Sequence, residues 1–397
     1  MASTSNLRWI LDKAKSIENE IIEWRRNIHM YPELGYQEKR TAKLIEEHLR
    51  KWGYKVITGI AETGVVGILK GEKGEKTIAL RADMDALPIE ELNDVPYKSR
   101  IKGVMHACGH DAHVAMLLGA AKILAELRDR FRGNVKLIFQ PAEEGGNGGK
   151  RMVEEGVLED PKVDVIYAIH VWSPLPSGKV ALKEGPILAA TGIFETEIKG
   201  KGGHGAYPHT TIDPIIPLAN IVLGLQTIVS RNIDPIQAGV VSVGIVKAGD
   251  AFNVIPEKAY IAGTYRYLEP KTGEVIKSRI KEIIENICRL YKVNCNIRIE
   301  DKTPPTINDP KATIFAREVI SELIDKNNIV EAQPTMGGED FAYYLQKVPG
   351  AMIILGTGNP EKGTDKPHHS PYFNVDENVL YIGTAIHVAL AYSYLSR

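Results

Sequence analysis

The sequence predicts an α/β protein with a mostly parallel central sheet, interrupted by a smaller α+β insert. Short apolar runs alternate with helical stretches through the first half of the chain, which is the pattern of strands joined by crossover helices. Three of those runs lead directly into acids or a histidine, as expected where parallel strand ends meet at one crevice. Residues 187–300 follow a separate β-α-β-β-α-β order, the split βαβ or ferredoxin-like arrangement.

Taken in order, Ile17, Ile21, Ile22, Trp24 and Ile28 recur at helical spacing and the stretch 41–49 repeats the pattern, so the first ~50 residues predict two amphipathic helices. Tyr31-Pro32-Glu33-Leu34-Gly35 between them is a loop with a proline stop. Strands are expected at Val65-Val66-Gly67-Ile68-Leu69, Thr77-Ile78-Ala79-Leu80, Val135-Lys136-Leu137-Ile138-Phe139 and Val165-Ile166-Tyr167-Ala168-Ile169. The second leads into Asp83 and Asp85, the third into Glu143-Glu144 and the fourth into His170. The insert opens near Gly185-Pro186 with an alternating strand at Phe194-Glu195-Thr196-Glu197-Ile198. A helix follows Asp213-Pro214, strands run over 240–246 and 259–265, a helix over about 272–290, and a strand over 295–299. After Thr303-Pro304-Pro305 the α/β pattern returns, with a strand at Ala351-Met352-Ile353-Ile354-Leu355-Gly356 and a closing helix over 379–395. The expected division is therefore 1–186 with 301–397 for one domain and 187–300 for the other.

The 397 residues are 44% hydrophobic and 25% charged, ordinary for a globular protein. Lys+Arg 49 against Asp+Glu 50 leaves a net charge of −1, which gives no basic field for nucleic acid and no charge run for a membrane surface. Met1-Ala2-Ser3-Thr4-Ser5-Asn6 lacks a basic region followed by an apolar one, and no uninterrupted apolar stretch reaches the ~18 residues that span a bilayer, so a cytoplasmic location is expected. Of the three cysteines, Cys288 and Cys295 are expected to stay reduced or buried, pairing only where local geometry allows. Abundant Ile, Lys and Glu with short loops is a composition associated with thermostability.

His106-Ala107-Cys108-Gly109-His110-Asp111-Ala112-His113 sets three imidazoles and a thiol within eight positions. Imidazoles and a thiolate crowded together need a cation or many hydrogen-bond partners. The apolar run after them predicts a helix whose N-terminal partial charge would favour the Cys108 thiolate. Cys108, His110, Glu143, Glu144, His170 and His369 together offer enough donors for one or two first-row metal ions. If Glu144 ligates, the backbone directs Glu143 elsewhere, where it can serve as general base to a water. Asp83 and Asp85 fit as ligands, and Asp85 fits equally as the acceptor that orients His110.

Ala82-Asp83-Met84-Asp85-Ala86-Leu87-Pro88, His106-Ala107-Cys108-Gly109-His110-Asp111, Gln140-Pro141-Ala142-Glu143-Glu144-Gly145, Gly202-Gly203-His204-Gly205 with Pro208-His209, Gly338-Glu339-Asp340-Phe341 and His369-Ser370-Pro371 together resemble the M20 metallopeptidase family. The match is closest to its branch of aminoacylases, hippurate hydrolases, thermostable carboxypeptidases and plant auxin-conjugate hydrolases, and it runs in order along nearly the whole chain. The resemblance implies a zinc-peptidase-like catalytic domain interrupted by a lid and dimerisation domain, in a homodimer or homotetramer. It implies two divalent metal ions per subunit, bridged by Cys108 and completed by His110, His170, Glu144 and His369, with Glu143 as base and then acid. Zinc suits a thiolate, and cobalt or manganese would also serve. His204 is implied to stabilise the oxyanion in the partner subunit's active site, and Asn253, Arg266 and the amides around Gly338 to bind the substrate carboxylate. The substrate is then an N-acyl amino acid or a short peptide with a free carboxylate. Other branches carry a histidine where Asp83 stands and an aspartate where Cys108 stands.

Two other functions fit parts of the pattern. Cys108 with a nearby histidine could act as a nucleophile, a reading that predicts activity resistant to chelators and sensitive to alkylation. A binding module that kept the fold without catalysis has no need of Glu143.

Overall fold

The computed structural model describes residues 7–396, so the leader reading at Met1–Asn6 lies outside the described residues. The chain divides into two compact units: Met1–Gly185, Ile307–Gln333 and Asp340–Arg397 form the first, Pro186–Thr306 and Pro334–Glu339 the second.

The first unit begins with three helices where two were expected: Arg8–Ser16, Glu18–Met30 and Lys39–Lys51. Ile17, at φ −111 and ψ 15, leaves the helical region and separates the first two. Each helix buries the residues its spacing marks, Ile10 and Ala14, then Ile21 and Ile28, then Ile45 and Leu49. The sheet runs in the order Lys55–Ile60, Gly64–Lys70, Arg132–Gln140, Glu72–Asp83, Val165–Pro176, Gly350–Gly358, Val180–Leu182, Ile329–Glu331. Glu72–Asp83 is parallel to both its neighbours, and Val165–Pro176 is parallel to Gly350–Gly358. Around this parallel middle the sheet is mixed. The hairpin of the first two strands is antiparallel because so short a connection allows nothing else.

Two helices are apolar nearly all round, as helices covered on every side must be. His110–Glu126 packs against the C-terminal helix Leu380–Ser396, and Thr384 donates to the Met116 carbonyl at 3.0 Å. Gly119 permits the approach, since a Cβ there would lie 2.8 Å from Thr384 Oγ1. The segment Glu377–Ser396 is long and apolar enough to cross a membrane by length and composition, although Thr384, His387 and Ser393 interrupt its apolar run. Its burial in the core accounts for that character, and no other helix among the described residues qualifies.

The second unit holds a four-stranded antiparallel sheet in the order Gly239–Ala248, Lys258–Tyr267, Ala190–Lys199, Asn294–Thr303. Along the chain that is second, third, first, fourth, the split βαβ arrangement. Helices Ile215–Asn232 and Pro270–Tyr291 cover it with Leu218, Ile221, Leu225 and Ile228, and with Ile276, Ile280 and Ile284. Cys288 and Cys295, expected to be reduced, form a disulfide: helix end and strand start fold back to back, with the Cα atoms 6.3 Å apart. Residues 301–306 and 334–339 lie in this unit rather than in the first. Thr303 pairs with Thr191, Thr335 donates to the Ile187 carbonyl at 3.0 Å, and Ala189 donates to that of Gly337 at 2.8 Å.

Candidate metal centre

Backbone geometry gathers the donors of the first unit at the carboxyl ends of its strands. Gly109, at φ 93, turns the chain into the helix that begins at His110, which puts Cys108 and His110 on either side of one sharp bend. His170 sits within Val165–Pro176, beyond the point where a strand end was expected. Glu143 and Glu144 follow Arg132–Gln140, and the loop bearing His369 is tied down by its own N–H, which donates to the Ala107 carbonyl at 2.8 Å.

Two sets of three donors each have all ligand atoms within 4.8 Å of one another: Cys108, His110 and His170, and Cys108, Glu144 and His369. Cys108 belongs to both. Other sets are as compact, among them His110, Glu143 and Glu144, and Asp83, His110 and His113. Cys108 Sγ lies 3.7 Å from His170 Nε2, and His369 Nε2 lies 3.1 Å from Glu144 Oε1. His110 Nδ1 faces Asp85, 2.9 Å from its carbonyl and 3.2 Å from Oδ1, while the other carboxylate oxygen accepts from the Glu144 amide at 2.9 Å.

A cation fits this set on two grounds. His110 Nε2 is buried with no hydrogen-bond partner, an arrangement that is costly unless something else meets the lone pair. The surroundings also call for positive charge. Burial would lower the His110 pKa, yet Asp83 and the Cys108 sulfur raise it well above the ordinary imidazole value. Burial together with the Glu144 carboxylate pushes the Cys108 thiol well up. The helix dipole was expected to favour the thiolate, but Cys108 precedes the helix and desolvation dominates, so a bound cation is what would make it one.

Behind these donors lie Asp83, read from the sequence as a possible ligand, and residues given no role there. His113 Nδ1 donates to Asp83 at 2.6 Å, and its Nε2 accepts the Val171 amide at 2.9 Å, beside His170. Arg81 meets Asp83 at 2.7 Å and Asp340 at 3.1 Å, and Gln140 donates to Asp340 at 2.6 Å. The Asp340 amide donates to Glu143 Oε1 at 3.2 Å. On the other side of the His110 helix, Arg25 and Asp111, both wholly buried, pair at 2.8 Å. Some of this was signalled: His113 is three residues from His110 on one helix face, and Arg81 and Asp83 share one face of a strand.

The remaining expected residues belong to the second unit. His204 is exposed on a short ribbon, opposite Val254, and its Nδ1 accepts the Ala206 amide at 3.1 Å. Asn253 is exposed next to Val254, and its carbonyl accepts from Gly205 at 2.8 Å. Arg266 donates to Thr264 Oγ1 at 2.8 Å and has no carboxylate partner among the described residues; partial burial lowers its pKa. At Gly338 a Cβ would come within 2.4 Å of Thr191, so the loop runs close against that strand.

Residues 79–393 match the family model described as peptidase family M20/M25/M40. The chain is 44% identical to thermostable carboxypeptidase 1 of Saccharolobus solfataricus over 387 residues, 96% of this chain and 97% of that protein. It is 44% identical to an IAA-amino acid hydrolase, ILR1-like 4, of Arabidopsis thaliana, over 95% and 87% of the two chains. The crystal structure of a Bacillus subtilis protein described as a dinuclear metal-binding peptidase from the M20 family superposes with a TM-score of 0.84 at 34% identity, over 96% and 99%.

Proposed function

Since the chain belongs to peptidase family M20/M25/M40 and is thereby a metal-dependent amide-bond hydrolase, we propose that it releases an amino acid from an N-acyl amino acid or from the C-terminus of a peptide. The observation that carries this reading is the pair of donor triads sharing Cys108, with Glu143 beside His110 and Glu144. Relatives named as a carboxypeptidase and as an IAA-amino acid hydrolase support the substrate class.

Cys108, His110, His170, Glu144 and His369 would hold the cations, Cys108 being common to both donor triads. Two divalent cations held there, zinc or in its place cobalt or manganese, would polarise the amide carbonyl and acidify an attacking water. Glu143 takes the proton of that water and delivers it to the departing amine nitrogen. Asp85 fixes the tautomer of His110 by accepting from Nδ1, which leaves Nε2 as the ligating atom. His204 of the partner subunit donates to the oxyanion: with Nδ1 already accepting from Ala206, the neutral ring carries its proton on Nε2. Asn253, Arg266 and the amides around Gly338 hold the substrate carboxylate. The first unit serves as catalytic domain and the second, Pro186–Thr306 with Pro334–Glu339, as lid and dimerisation domain, in a thermostable, cytoplasmic homodimer or homotetramer.

The raised thiol pKa argues against Cys108 as a nucleophile, since the thiol rather than the thiolate prevails there without a cation. One assay tests the reading: release from benzoyl-, acetyl- and benzyloxycarbonyl-amino acids and short peptides, after chelation and after each metal is returned. Activity lost on chelation and restored by metal is expected. Activity that survives chelation and stops on alkylation would sink it.

A further inference from the structure

The loop Tyr31-Pro32-Glu33-Leu34-Gly35 and the residues just after it do more than connect two helices. Ala142, immediately before Glu143, has φ 51, a left-handed conformation that a residue with a side chain keeps only where its surroundings impose it. Those surroundings come largely from residues 35–38. Glu38 is completely buried; one carboxylate oxygen accepts the Ala142 amide at 2.9 Å and the other accepts the Thr63 hydroxyl at 2.5 Å. Gly35 lies against the same residue, since a Cβ there would be 3.0 Å from Ala142 Cβ. Tyr36 donates its hydroxyl to the Gly146 carbonyl at 2.7 Å. With Asp85 accepting the Glu144 amide, the turn is pinned on both sides of Glu143.

We propose that Glu38 and Gly35 are positioning residues for Glu143, a bracket that fixes the left-handed turn at Ala142 and so the direction in which the Glu143 side chain leaves the backbone. The proposal rests on Glu143 being the general base. A carboxylate aimed ~1 Å away from its water loses rate without losing substrate, because ground-state binding does not pass through it. Burial pushes the Glu38 carboxyl up to about 7, so a carboxamide is a close substitute for a group that is often protonated near neutrality.

Glu38→Ala should lower kcat by about 10- to 100-fold, with KM within about twofold and metal content unchanged. Glu38→Gln, which still accepts from Ala142 and can donate to Thr63, should recover kcat to within about fivefold of the unaltered protein. A second pair of variants serves if Glu38→Ala fails to fold. Gly35→Ala pushes directly on the turn and should lower kcat, and adding Ala142→Gly removes the nearer of two opposing atoms, leaving the Cα at 3.1 Å, and accepts the positive φ without strain. Recovery of kcat by about tenfold in that double variant is expected. Full kcat in Glu38→Ala beside an inactive Glu143→Gln overturns the bracket and leaves the base in place. Equal losses in Glu38→Ala and Glu38→Gln, or no recovery in Gly35→Ala with Ala142→Gly, also overturn it. A fully metallated Glu143→Gln with near-normal turnover removes base and bracket together.

Discussion

Cys108 carries two demands that ordinary substitutions separate. It belongs to both donor triads, and it lies where burial and Glu144 resist its ionisation. Cys108→Ser keeps the size and loses the strong donor, whereas Cys108→Asp supplies two oxygens that can reach both sites. Elemental analysis after dialysis should therefore find Cys108→Ser depleted and Cys108→Asp closer to two metals per chain with part of the activity. If Cys108→Asp retains metal no better than Cys108→Ser, the shared-ligand assignment is wrong. The cluster around Cys108 was legible because its residues crowd a few consecutive positions. Arg25, Glu38 and Asp340 were given no role: each lies beside other charged residues in its own segment, as on a solvated face, and becomes meaningful only once the fold buries it against a partner far along the chain.

At the scale of elements, the His110–Glu126 helix is held at its start by buried charge as well as by the apolar packing of Ala112, Val114 and Ala115. Asp111 is buried against Arg25 at 2.8 Å and His29 at 2.7 Å, and Arg25 and Arg26 both reach Glu377. Burial alone would raise the Asp111 pKa; Arg25 and His29 overcome it and hold the carboxylate far below its ordinary value. A depressed carboxylate contributes stability that is present above its unfolded pKa of about 4 and is lost as pH falls below it. Asp111→Asn leaves the guanidinium short of charge in the core and should cost about 3–5 kcal/mol in urea unfolding at neutral pH, with the difference from the unaltered protein shrinking below about pH 4. A difference that is constant across that range would place the carboxylate outside the balance. Helix existence and strand positions were readable here from apolar spacing. The break at Ile17 and the antiparallel edges of the sheet were not, because they follow from tertiary packing and short connections rather than from local preference.

For the molecule as a whole, the proposed role of His204 predicts complementation between subunits. A Glu143→Gln chain lacks the base and a His204→Ala chain lacks the donor, so each homodimer should be slowed by about 10²-fold or more. Heterodimers contain one site with both groups and should regain activity that neither parent has. Verified heterodimers that stay inactive would mean that His204 does not act across the interface. The division of the chain also sets an order of assembly during synthesis. The sheet and both helices of the second unit are complete once residue 303 is made. The first unit must wait longer, because Gly350–Gly358 fills the place beside Val165–Pro176 in its sheet and Leu380–Ser396 covers the His110–Glu126 helix. On the ribosome the later-starting unit should therefore become protease-resistant first, while the earlier-starting one, metal donors included, should stay open until its last helix has left the exit tunnel.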